Sequence, residues 1–156
     1  MFRWVGILSC LGGLVAGDVA FADFPTKPNP EITTGDFCRP ENPDFHEYRR
    51  YGSEQIAYCH RNVSRFTKKQ IYGKYRVPAR CRRDYTVDHF VPLSMGGSNE
   101  PENLWPEHHN VKAARQDLEQ NVFNQLREGY LSQSEAVEIV VHAKMNPPPV
   151  EPAECQ

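Results

Sequence analysis

The stretch Tyr85-Thr86-Val87-Asp88-His89-Phe90-Val91-Pro92-Leu93-Ser94-Met95-Gly96-Gly97-Ser98-Asn99, followed by Asn103-Leu104-Trp105-Pro106, decides how this chain is read. Alternation around Tyr85, Val87 and the Phe90-Val91 pair predicts a strand over 82–93. Pro92 and Gly96-Gly97 then turn the chain. An acid and an imidazole, Asp88 and His89, are thus carried to the end of a strand, on opposite faces while it stays extended.

Downstream, Val111, Ala114, Leu118 and Val122 fall at offsets 0, 3, 7 and 11, one face of a helix over 110–128 that Gly129 ends. Ser132-Gln133-Ser134-Glu135 reads as a capping box for a second helix carrying Ala136, Ile139, Val140 and Ala143, stopped by Pro147-Pro148-Pro149. Upstream, Thr67-Lys68-Lys69-Gln70 resembles a capping box for a short helix ending near Gly73. No repeat and no Gly-rich phosphate loop is present, and Asn62-Val63-Ser64 is a glycosylation sequon.

The 156 residues suffice for one domain. Arg3, the apolar run from Val5 to Val15 and the small-x-small site Ala20-Phe21-Ala22 read as an export signal over 1–22. That run is too short and too Gly-rich to span a bilayer comfortably. The organisation expected is therefore a signal (1–22), an irregular Pro/Asn-rich arm (23–52), a domain whose first part is basic (53–146) and a Pro-rich tail (147–156). Cleavage removes Cys10 and leaves Cys38, Cys59, Cys81 and Cys155, an even set that predicts two disulfides in an exported chain. Spacing leaves three connectivities open; proximity favours Cys59–Cys81 and Cys38–Cys155. No Cys-x-x-Cys is present to hold a structural zinc.

A net charge of −2 conceals a polarity. From Arg49 to Arg83, eleven Lys or Arg face one acid, a net +10; from Asp84 onward, four face twelve acids, a net −8. A basic segment beside an acidic one fits a polyanion offered to a cation site, against the plainer reading of a solvated helix face. Arg61, Arg65, Lys68, Lys69, Arg82, Arg83 and Lys112 are the candidate phosphate contacts, and Tyr and Phe residues interleave with the basic run.

A phosphodiester resists hydrolysis because its anionic oxygens repel a nucleophile, so a catalyst offsets that charge and generates hydroxide near neutral pH. His89 has the side chain for the base and Asp88 an oxygen ligand for a hard cation. Asn103 has an amide that braces the loop or orients the His ring. The alternatives are a structural His, a turn Asp and a capping Asn.

Asp88-His89, Pro92-Leu93, Gly96-Gly97-Ser98-Asn99 and Asn103-Leu104-Trp105-Pro106 together resemble the HNH, or ββα-metal, endonuclease superfamily, and within it small exported nucleases with the Asn-Leu-Trp-Pro signature. The resemblance covers about 84–145. It implies an α+β fold with a β-hairpin and helix gripping one divalent cation, Mg²⁺ before Mn²⁺ or Zn²⁺, with His89 as base and Asp88 as ligand. The position where that family carries a helical His or Asn is Lys112 here, so Asn110, His109 and Glu119 are all candidates for the remaining ligand. The reading is an exported (periplasmic or secreted), monomeric nuclease cutting DNA, and RNA as a second substrate, with little sequence preference. The competing readings are a disulfide-stapled nucleic-acid-binding module with a degenerate site, and a secreted interaction domain. An inhibitor protein is not legible.

Overall fold

The computed structural model describes residues 25–150. The expected signal over 1–22, Cys10, Cys155 and the end of the Pro-rich tail lie outside the described residues. The fold is mixed α/β. Strands β1 (Phe45–Tyr51) and β2 (Glu54–Cys59) form one antiparallel sheet, and β3 (Tyr85–His89) and β4 (Leu104–His108) a second. Helix α1 (Arg65–Lys74) lies between the two sheets in sequence, and α2 (His109–Ala113), α3 (Leu118–Glu128) and α4 (Gln133–Met145) follow β4. No described helix is long and apolar enough to cross a membrane.

One core cluster joins Tyr51 and Ile56 of the first hairpin to Met95 of the turn after β3, to Val122 and Leu126 of α3, and to Ala136 and Val140 of α4. Each fully buried aliphatic there contributes roughly 1.5–3 kcal/mol. A second cluster packs Ile71 of α1 on Val87 and Leu104, fixing α1 against the β3–β4 pair. A third places Phe90, Trp105 and Val111 together, which seats α2. The turn of the first hairpin touches the end of α3. A Cβ on Gly52 would lie 2.8 Å from the Gly129 Cα, and both glycines have positive φ, +55° and +80°. Neither position accommodates a side chain without moving the other backbone.

Several expectations change. The stripe over 110–128 does not make one helix: the chain turns between Ala113 and Leu118. Val111 belongs to the Phe90–Trp105 cluster and Val122 to the hairpin cluster, two cores that a straight helix would not serve together. The strand over 82–93 is confined to Tyr85–His89, because residues 79–84 coil into a 3₁₀ turn. Helix α1 begins at Arg65, two residues before Thr67, and its cap is Ser64, whose side chain accepts from Thr67 N–H at 3.0 Å. The Ser132–Glu135 capping box stands as expected.

The arm over 23–52 is not wholly irregular, since 45–51 is β1, whose mostly exposed side chains hide strand alternation. Nor is it loose. Gly35 N–H donates to Glu102 O, Cys38 N–H to Gly96 O and Ser98 N–H to Asp36 O, so the arm runs along the Gly-Gly turn. The disulfide pairing favoured by proximity is overturned: Cys38 is bonded to Cys59, which excludes both Cys59–Cys81 and Cys38–Cys155. Sequence separation does not choose between Cys38–Cys59 and Cys59–Cys81; the observed pair forms because the hairpin and the pinned arm meet in space. Cys81 is also disulfide-bonded.

Candidate functional site

His89 ends β3 and is buried, 3% exposed. Its Nε2 lies 2.9 Å from Asn99 Oδ1. The Asn99 amide is oriented unambiguously, because its Nδ2 faces two acceptors, an Asp44 carboxylate oxygen and the His60 carbonyl at 2.7 Å. Asn99 Oδ1 therefore accepts, and His89 Nε2 carries the hydrogen. The lone pair is left on Nδ1, which faces Arg61 Nη1 at 3.4 Å. A guanidinium only donates, which independently assigns the same tautomer. Arg61 is held there by donating from Nη2 to Val87 O at 3.0 Å. Burial pushes the His89 imidazole below its ordinary value, with Arg61 and Lys144 adding to that and Asn99 and Asp88 opposing it. The neutral, proton-accepting form is the one held.

On the other face of β3, antiparallel register sets Asp88 opposite Trp105 and Thr86 opposite Glu107. Asp88 and Glu107 are thus diagonal neighbours on one face. Around them gather three bases. Lys112 Nζ is 3.0 Å from Asp88 Oδ2 and 3.5 Å from Glu107 Oε2, Arg115 pairs with Glu107 Oε1, and Lys144 Nζ is 2.6 Å from Glu119 Oε1. Lys144, fully buried on α4, also donates to the His89 carbonyl. Burial pushes the Asp88 carboxyl up, but Lys144, the neighbouring Glu107 carboxyl and Lys112 outweigh it and hold it well below the carboxylate range. Glu107 is raised, first by burial and then by its neighbour Asp88; Arg115 and Lys144 offset only part of this.

Asn103 does not touch His89. Its side chain is fully buried, with Oδ1 accepting from Val91 N–H at 2.8 Å and Nδ2 donating to Val91 O at 3.0 Å and Ser98 O at 2.8 Å. It clamps the turn after the strand, the first of its two expected roles, while ring orientation falls to Asn99. Gly97 is part of this clamp: a Cβ there would lie 1.9 Å from Val91 O and 2.9 Å from Asn103 Nδ2.

Of the candidate ligands, Asn110 and His109 sit exposed at the start of α2, and it is Lys112 that reaches Asp88. Glu119 joins the cluster through Lys144 and Arg115. Neighbouring His108 caps α2 by accepting from Asn110 N–H at 3.1 Å. Among the described residues no group of three or more His, Cys, Asp or Glu gathers for a metal ion. The donor set that suits a hard cation is the Asp88–Glu107 pair, and Glu107 Oε2 is buried without a hydrogen-bond partner.

Of the basic candidates, Arg61 stands at His89, and Arg65, Lys68 and Lys69 are exposed on α1. Arg82 lies over the Tyr72 ring at 5.3 Å, and Arg83 pairs weakly with Asp84 at 3.9 Å. Asp44, Glu107, Arg115 and Lys144 were not singled out from sequence, and Asn99 was quoted without a role. It is the pairing of Thr86 with Glu107 and of Asp88 with Trp105 that brings Glu107 diagonal to Asp88. No protein-family model, no curated protein and no solved structure matches the chain.

Proposed function

We propose that the chain is an exported, cation-dependent endonuclease that hydrolyses phosphodiester bonds of DNA, with RNA as a second substrate and little sequence preference. On this reading β3, β4 and α2 are a ββα-metal core. The observation that carries it is His89, whose Nε2–H is committed to Asn99 while its Nδ1 lone pair faces a guanidinium. A phosphate drawn to Arg61 comes to rest beside that lone pair. Once the phosphate draws the guanidinium off the ring, His89 Nδ1 is free to take a proton from water as the oxygen attacks phosphorus. The P–O bond to the departing strand breaks, the leaving oxygen is protonated from solvent, and the imidazolium returns its proton to solvent.

Asp88 and Glu107 would hold the divalent cation, with waters completing its shell; when bound it lowers the pKa of water and offsets phosphate charge. The exposed cations of α1 supply sequence-independent phosphate contacts. The Cys38–Cys59 disulfide supports an oxidising compartment.

Plasmid cleavage with Mg²⁺, Mn²⁺, Zn²⁺ or EDTA, by wild type and His89→Ala, tests the proposal. The substitution should cost about 10²- to 10⁴-fold in rate with the fold kept. Retention of half the wild-type rate refutes the assignment. Lys112 seated on Asp88 favours one second reading, a binding module without catalysis, which predicts salt-dependent DNA binding and no cleavage with any of these ions.

A further inference from the structure

We infer that Lys112 is a tethered stand-in for the divalent cation at Asp88 and Glu107, displaced when that cation binds and coupling its binding to that of nucleic acid. This rests on the reading of the carboxylate pair as a cation site.

Three bases, Lys112, Arg115 and Lys144, already crowd the carboxyl groups of Asp88, Glu107 and Glu119 without any added ion. A divalent cation added to that set would bring uncompensated positive charge to a largely buried place, so one base must leave. The three bases differ in their freedom. The Lys144 side chain is 0% exposed and Arg115 8%, each locked on a buried or half-buried partner, whereas Lys112 is 51% exposed. Lys112 also sits on the five-residue α2, just before the chain turns, with its long stem reaching in from solvent. Its ammonium lies on the two carboxylate oxygens that a hard cation would use, Asp88 Oδ2 and Glu107 Oε2.

Nucleic acid acts on the same side chain. A polyanion attracts the freed ammonium into solvent and away from Asp88, so it favours the state that the cation requires. Two ligands that favour one state tighten each other's binding by the same factor.

The experiment is calorimetric titration of Mn²⁺ into the full chain, in a His89→Ala background, with and without a short DNA duplex. Lys112→Met, and Lys112→Gln as a second variant, should bind Mn²⁺ on the order of tenfold tighter than the Lys112 protein, about 1.4 kcal/mol. Duplex should tighten Mn²⁺ for the Lys112 protein several-fold and leave Lys112→Met unchanged. Measurable but equal affinities in the Lys112 protein and both variants overturn the displacement while leaving the cation site standing. Mn²⁺ binding by none of them overturns the cation reading and this inference with it. Tight binding that survives Asp88→Asn places the ion elsewhere and also overturns it.

Discussion

Replacing Asn103 with Ala should cost stability before it costs chemistry. The amide fills three hydrogen-bonding positions in a fully buried pocket: the Val91 N–H, the Val91 carbonyl and the Ser98 carbonyl. Alanine leaves all three stranded, and each unsatisfied buried backbone group costs about 1–3 kcal/mol. Water trapped in the vacated space recovers part of this, so the expected loss is about 3–5 kcal/mol. A domain of this size has a total stability of about 5–15 kcal/mol, so the variant should be marginal. At roughly 3–4 °C per kcal/mol for this length, Tm should fall by about 10–20 °C. Urea unfolding followed by the fluorescence of buried Trp105, disulfides left oxidised, gives the stability. Cleavage measured well below the lowered Tm gives activity per folded molecule. A variant within about 1 kcal/mol of wild type that is nevertheless inactive would refute the clamp and move Asn103 into the chemistry.

Other outcomes follow from the same geometry. Asn99→Ala, which removes the acceptor for His89 Nε2, should lower the rate by about 10- to 100-fold and move the acid limb of the pH profile lower still, because Asn99 supports the protonated ring. In the wild type, the neutral imidazole is the active form and its pKa is depressed, so kcat/KM should rise as pH increases through a value below the ordinary histidine pKa of about 6.5 and be flat above it; an inflection well above 7 contradicts the base assignment. Cys38→Ser should lower stability by about 3 kcal/mol through the 21-residue separation it leaves unclosed, and peptide mapping should recover Cys38 joined to Cys59. DNA binding by His89→Ala should fall with salt at a log–log slope near −3.6 if about four cations touch phosphate, and charge-neutralising Lys68 and Lys69 should reduce that slope by up to about two; a flat response removes the electrostatic argument.

What the sequence made legible was local. The strand carrying Asp88-His89, the Gly-Gly turn and the Ser132 capping box each depend on neighbours within a few residues, and period and turn chemistry report them. The partners of His89 were not legible, because Asn99 finds Asp44 across 55 residues and Lys144 reaches the His89 carbonyl across another 55. Nothing in periodicity marks such a meeting. The unbroken stripe from Val111 to Val122 misled for a related reason: spacing reports that residues are buried, not that they enter the same core. Lys112 was noticed for its type, yet only the fold shows it seated on a carboxylate.

Lys144 has a consequence for when the site comes into being. The strand, turn and short helix that carry Asp88, His89 and Lys112 are contiguous, but the His89 carbonyl and Glu119 are satisfied by an ammonium on the last described helix. A segment ending before α4 would expose a carbonyl and a carboxylate meant for a buried cation, and nothing local would replace it. As the chain emerges from synthesis, the geometry around His89 is therefore among the last things to be completed. On the proposed reading the enzyme would be harmless while its chain is still being made, and the short motif transplanted alone would carry the residues without their alignment.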